Sequence, residues 1–216
     1  MNFSDKTFVF LLLFFFLCCN NNSKKVESSQ EKIYQIDIKN TSIEWHGYKT
    51  TDKVKVSGVF NDFSCDRENQ EFASIKDLVT DLKFSINTLS SSSGDPIRDI
   101  NLKDYFFNFF TSGFQINGTF GAPDNDSINI FFNVFGVDKK MLFSYKLYKT
   151  PSLINETYFD HIIYIKGTIN IENQFNALKA YDSIHKKCYE LHKGLDGISM
   201  TWKDVDVHLK ARIITK

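Results

Sequence analysis

Residues 90–107 read SSSSGDPIRDINLKDYFF. A Ser/Gly turn ahead of a helix start offers backbone N–H groups, and Arg98 adds a cation, which are the ingredients of a phosphate site. Asp95 caps that same start and Asp99 follows, so two carboxylates oppose an anion and the phosphate reading is disfavoured. His185, Cys188 and His192 fall at i, i+3 and i+7, on one helix face, and could offer nitrogen and sulfur ligands to zinc or copper. The competing reading places Cys188 in a buried stripe with the histidines flanking it. That reading is preferred, and neither a metal nor another cofactor is expected. G-x-S-x-G elbows, H-E-x-x-H motifs and Walker loops do not occur. No catalytic residue is assigned, and a non-enzymatic role is expected. Asn40, Asn117, Asn125 and Asn155 each head an N-x-S/T triplet, which carries no assignment in a chain this rich in asparagine.

The elements that must position these residues begin after an atypical N-terminus. Lys6 precedes the apolar run FVFLLLFFFL, Phe8 to Leu17. At about ten residues it is too short to cross a bilayer as a helix and fits the core of a secretory signal. LCCNNNSKK follows. A cysteine directly after such a core resembles a bacterial lipoprotein signal, with Cys19 lipidated and Cys18 supplying the small residue before the cut. Phe16 stands where leucine is typical. A plain secretory signal or membrane anchor is the alternative. The expected organisation is a lipoprotein signal over 1–18, a flexible tether over 19–31 and a folded domain over 32–216. A lipid anchor attaches a protein without spanning the membrane. Export also permits a disulfide between Cys65 and Cys188, although spacing does not show that their geometry allows one.

The whole chain has 26 basic and 26 acidic residues, so it lacks the charge excess a nucleic-acid partner requires. Period-two alternation recurs in SIEWHGYK, KVKVSGVF, DLKFSIN, GFQINGTF, FDHIIYIKGTINI and VDVHLKARI. INIFFNVF and MLFSYKLY carry apolar residues on both faces, with a turn expected over Gly136–Lys140. Eight or nine strands with short turns and no βαβ alternation predict an antiparallel meander closed into a barrel. Two helices interrupt it. Asp95 and Pro96 start a short one. A longer one is expected from an Asn173 N-cap to Gly194, with Phe175, Leu178, Tyr181, Ile184, Cys188, Leu191 and Leu195 in one stripe.

Phenylalanine is the compositional outlier, at 22 residues. Large β cores use Phe to fill space. An eight-stranded barrel, however, either fills its interior or leaves room for one small ligand, and a greasy elongated cavity is a natural use for so many aromatics.

Three segments carry a family resemblance. DIKNTSIEWHGYKTTDKVKVSGVF is similar to the opening hairpin of the YceI-like family of exported lipid-binding proteins. FSINTLSSSSGDPIRDINLKDYFF is similar to its strand, Ser/Thr-Gly turn, Arg-Asp pair and Phe-Phe segment. FNALKAYDSIHKKCYELHKGLDGISMTWKDVDVHL resembles its closing helix, turn and strand in lipoprotein members from Bacteroidota. Arg98-Asp99 and Trp202-Lys203-Asp204-Val205 are the most specific pieces, and the resemblance spans roughly Tyr34 to Ile214. SCDRENQEFASIKDLV is longer than the family's simple hairpin there. The resemblance implies a mainly β fold: an antiparallel, eight-stranded, lipocalin-like β-barrel with a short helix after the fourth-strand region and a longer helix before the last strand. It also implies a hydrophobic, isoprenoid-type lipid in the barrel, and relatives suggest a homodimer. Candidate lining residues are Trp45, Phe60, Phe84, Phe114, Phe120 and Phe159. Arg98 and Asp99 would tie a lid helix to the rim, with Phe106 and Phe107 pressing into the interior. The expected protein is anchored through Cys19 in the periplasm or at the cell surface. The alternative is a surface lipoprotein whose filled barrel serves as a scaffold for protein contacts.

Overall fold

The computed structural model describes residues 31–134, 136–154, 156 and 158–216. The expected signal, the lipidated Cys19 and nearly all of the tether lie outside the described residues. Ten strand segments form one antiparallel sheet: β1 (Tyr34–Lys49), β2 (Val54–Phe60), β3 (Phe63–Cys65), β4 (Lys83–Asn87), β5 (Ser91–Ser92), β6 (Gln115–Phe120), β7 (Ser127–Val134), β8 (Val137–Pro151), β9 (Phe159–Asn170) and β10 (Asp204–Thr215). Their order is β3-β4-β6-β7-β8-β9-β10-β1-β2-β5. The two outermost segments, β3 and β5, continue the bent chains of β2 and β4. Val59 and Phe60 pair with Ser92 and Ser91, and Phe63 to Cys65 pair with Ile86 to Phe84. Between these pairs Asn61 N–H donates to the Ser90 carbonyl at 3.3 Å and Asn87 N–H to the Asp62 carbonyl at 3.0 Å. One kinked ladder therefore joins both edges, and the ten segments act as the eight strands of a barrel. Closure removes the free edges that would otherwise template aggregation.

Alternation sorts the strands as expected. Ile128, Ile130, Phe132 and Val134 of β7 and Met141, Phe143 and Tyr145 of β8 are buried. The surplus apolar residues of these two strands, Phe131 and Leu142, face outward and are exposed. Val134 pairs with Val137, so the turn is tighter than the expected Gly136–Lys140 and β8 begins earlier. β1 bulges against β10, where the register passes from Asp37↔Arg212 to Ser42↔Lys210.

Helices close both ends. In the lengthened segment Ser74 accepts from Asp77 N–H at 3.0 Å and starts α1 (Ile75–Val79). Ile75, Leu78 and Val79 are buried, so α1 fills one end. α2 (Pro96–Leu102) starts on Asp95, whose carboxylate accepts from the N–H groups of Ile97 and Arg98. It runs on through a π turn (Lys103–Phe107) into α3 (Asn108–Phe110). The expected helix from Asn173 to Gly194 is instead α4 (Ile171–Phe175) and α5 (Leu178–Lys187). Asn170, not Asn173, caps α4, and Asn176 at φ 52 breaks the helix in the left-handed conformation. That break rotates the buried stripe to Ala177, Ala180, Ile184 and Cys188 and leaves Leu178 exposed, while Leu191 and Leu195 lie beyond the end of α5 and are exposed as well. Cys65 and Cys188 are free thiols.

Three interior aromatic rings lie over glycines on the adjacent strand. A Cβ on Gly58 would meet Trp45 Cζ2 at 2.5 Å and the Ser92 carbonyl oxygen at 2.7 Å. A Cβ on Gly118 would meet Phe84 at 2.4 Å, and one on Gly167 would meet Phe143 at 2.2 Å. Even one added methyl there must push a ring off the wall. Gly58→Ala should lower stability by about 1–3 kcal/mol and alter the near-ultraviolet circular dichroism of Trp45. An unchanged urea midpoint with an unchanged spectrum would show that the close approach is dispensable.

At one end of the barrel Asp160 is fully buried. Arg212 Nε and Nη2 donate to its Oδ2 at 3.0 and 2.8 Å, and Thr215 N–H donates to Oδ1 at 3.1 Å. Burial alone would raise the pKa of this carboxyl, but the Thr215 and Arg212 donors outweigh it and hold the pKa below the ordinary value. A folded pKa below the unfolded one adds stability that is complete above the unfolded value of about 3.9 and disappears as pH falls through the folded value. Arg212→Met leaves a buried carboxylate unpaired and should cost about 3–5 kcal/mol in urea unfolding at neutral pH. The deficit should shrink in acid as Asp160 becomes protonated; a loss that stays constant down to low pH would contradict the pairing.

Candidate functional site

The end of the barrel beneath α2 and α5 encloses a cavity of about 290 Å³. Its wall comes from Trp45, Val56 and Phe60 of the first hairpin, Ile116 and Ile169 of β6 and β9, and Val205 and Val207 of β10. These are the inward positions of alternating strands, so the period of the sequence builds an apolar wall directly. Leu102, Phe106, Phe107 and Phe110 roof it from the helical segment, and Tyr181, Ile184 and Cys188 close it from α5. Ile97 and Leu191 also line it, although they are 70% and 62% exposed, so the cavity reaches the surface between α2 and the chain that follows α5. A second apolar cavity of about 80 Å³ lies at the α1 end and shares Val207 with the first. Buried Phe175 packs edge-on against Phe110, which lines the larger cavity, and against Phe132, which lines the smaller one.

The expected lining residues divide. Trp45 and Phe60 line the larger cavity, and Phe84 and Phe120 line the smaller one. Phe114 and Phe159 line neither. Phe114 sits before β6 in a tight turn, at φ 58, and the strand begins only at Gln115. Phe159 has inward parity but stands at the last rung of β9, opposite Pro151 and beyond the filled interior, and is 58% exposed.

The lid residues stand together. Phe107 is buried edge-on against Phe60, and Phe106 stacks on Phe110 at 5.1 Å. Asp99 ties the lid to the rim: its carboxylate accepts from Ser93 N–H at 2.8 Å and from the Ser93 hydroxyl at 2.6 Å. Arg98 does not share that tie. Its ion partner is Asp95 of its own helix, at 3.5 Å, and it lines the cavity mouth. The Asp95 carboxylate also occupies the helix-start N–H groups that a phosphate would need.

Polar groups around the cavity are few. Asn101 lines it and is 7% exposed. Its amide offers both a donor and an acceptor to whatever occupies the cavity. At the mouth the Thr201 hydroxyl bridges His185 Nδ1 at 2.9 Å and His192 Nδ1 at 2.6 Å. The hydroxyl has one proton, so at most one imidazole accepts from it and at least one donates its own Nδ1–H. Burial, with Lys49 nearby, lowers the His192 pKa to about 4, which keeps that ring neutral near pH 7. The His185, Cys188 and His192 grouping thus resolves into a histidine pair on Thr201 and a buried thiol lining the cavity. Trp202 Nε1 donates to the Thr50 carbonyl at 2.9 Å and holds the closing segment against the β1–β2 turn. Asn101 and Thr201 carry no periodic signal of their own. The lid helix and the Thr201-Trp202 segment that contain them were both visible.

No family model matches the chain, and no curated protein matches it. Solved structures do. A polyisoprenoid binding domain from Saccharophagus degradans implicated in plant cell wall breakdown superposes with a TM-score of 0.58 at 10% identity, covering 85% of this chain and 98% of that one. BcnA from Burkholderia cenocepacia superposes with a TM-score of 0.55 at 12% identity, covering 82% of this chain and 99% of that one. At these identities the likeness is one of fold. The closed antiparallel barrel, its helical lid and the segments that resemble the family in sequence agree, and the chain has the YceI-like fold.

Proposed function

We propose that this chain binds a hydrophobic lipid of the isoprenoid type in the larger cavity, with the hydrocarbon inside the barrel and a polar head near α2. The observation that carries this reading is the cavity itself: about 290 Å³ of space walled by aliphatic and aromatic side chains and open at one end. That volume is near the lower edge of ligand pockets, which run about 300–1,000 Å³. Each Å² of apolar surface taken from water contributes about 25 cal/mol. Polyisoprenoid binding by the Saccharophagus degradans domain with the same fold supports the choice of ligand class. The filled-scaffold alternative is disfavoured by the open space.

Asn101 supplies the polar contact such a ligand needs. Its amide can donate to and accept from a head group, and Arg98 at the mouth adds a cation. The chemistry is binding and release, and no bond-making step is proposed.

The reading also takes the protein as exported and held at a membrane through a lipid on Cys19, with residues 20–30 as the tether. The run from Phe8 to Leu17 followed by paired cysteines supports it. Cys19→Ala should move the protein from the membrane fraction to the soluble fraction and abolish incorporation of labelled fatty acid. Retention at the membrane with no label in either protein would remove the anchor from the proposal.

Organic extraction of the purified domain followed by lipid mass spectrometry tests the ligand. An isoprenoid-type lipid should be recovered at near-stoichiometric yield. An empty extract, with no spectral change on adding polyprenyl lipids, would overturn the reading. Asn101→Leu should weaken retention of a head-bearing lipid roughly tenfold, a loss of about 1.4 kcal/mol, while leaving binding of a bare hydrocarbon chain intact.

A further inference from the structure

The outer wall of the barrel carries a cluster that the cavity does not use. Strand periodicity puts Glu44 and His46 of β1 on the same outward face, while Trp45 between them points into the cavity. On β10, His208 lies directly opposite Glu44 and Asp206 directly opposite His46. His46 Nε2 is 3.6 Å from Glu44 Oε2, and the two imidazole rings meet edge to face with centroids 4.4 Å apart. One ligand atom from each of Glu44, His46 and His208 lies within 4.8 Å of the others.

We propose that Glu44, His46 and His208 bind a divalent transition-metal ion of the zinc or copper(II) class on the outside of the barrel. Two imidazole nitrogens and one carboxylate oxygen are a donor set that suits both ions. Metal bonds of about 2.0–2.1 Å in a tetrahedron place donors about 3.4 Å apart. The His46–Glu44 distance is already close to this, and side-chain rotation on a fixed ladder brings His208 in. The backbone is held by paired strands on both sides, so binding requires no loop to order. All three residues are half-buried, which leaves the remaining coordination positions on the solvent side. Asp206 adds negative charge beside the site. It is held in place by the Thr168 hydroxyl at 2.6 Å and by the Tyr48 hydroxyl, so it acts as a charged neighbour and not as a ligand. Lys166, opposite His208 on β9, is exposed and is the one cation facing the cluster from that strand.

Titration of the full chain with zinc chloride by calorimetry, and with copper(II) by electron paramagnetic resonance, tests the site. The natural chain should bind one ion that His46→Ala/His208→Ala does not, and its copper spectrum should show coupling to two nitrogens. Each single histidine variant should lose one of those couplings. Glu44→Gln, a change of the same size on the outward face of β1, should weaken binding by at least about tenfold while keeping both nitrogens. Superimposable titrations for the natural chain, Glu44→Gln and the double variant would overturn the proposal, as would nitrogen coupling that survives in the double variant.

Discussion

A barrel of this width has enough aromatic side chains to fill itself, and its open space depends on where the rings lie. Trp45, Phe84 and Phe143 each pack against a glycine of the neighbouring strand. Each ring therefore occupies the volume that a side chain would take on the wall instead of projecting to the axis. The hydrogen bond from Trp45 Nε1 to Ser91 Oγ, at 3.1 Å, fixes the largest of the three and ties it to the lid's own leading segment. Glycine in a strand ordinarily costs stability because it packs nothing. Here the ring restores the packing, and the interior stays accessible.

The lid follows from the same region of the barrel wall. The kinked ladder that closes the sheet ends in Ser91 and Ser92, and the chain leaves it at Ser93, the residue that donates twice to Asp99. Closure of the barrel and placement of the roof are thus one event in the chain. The opposite end is handled differently, by α1 inserting Leu78 and by the buried Asp160–Arg212 pair. One end is sealed by packing and charge, while the other is covered by a helix whose outer residues Ile97 and Ile100 remain exposed.

Much of this was legible in the residues because it is local. Period-two strands, the Asp95-Pro96 helix start and the inward turn of Phe106 and Phe107 each depend on neighbours within a few positions. The misread features depend on longer-range conditions. Asn176 adopts a left-handed conformation inside a run whose spacing is helical throughout, so the stripe through Leu191 and Leu195 looked continuous. Phe159 keeps the right parity, but parity does not say where the neighbouring strands stop. Arg98 follows Asp95 by a helical turn and pairs with it, while the adjacent Asp99 turns to Ser93, a division that adjacency in sequence does not reveal. The helix α1 left a faint trace in Ser74 and Asp77, whose spacing suits a cap, but five residues give no period to read. Asn101 is a single polar residue in the lid helix, and only its burial against empty space marks it.

The Phe175 ring packs edge-on against Phe110 and Phe132, behind the walls of the two cavities, which meet at Val207. In the proposed binding mode a hydrocarbon entering beneath α2 has about 290 Å³ to fill, and any remainder must fold back or stay outside. An apolar wall discriminates weakly among greasy molecules, by only about 1–3 kcal/mol per methylene even in a tight pocket. A bounded volume discriminates by size instead, because what does not fit stays in water.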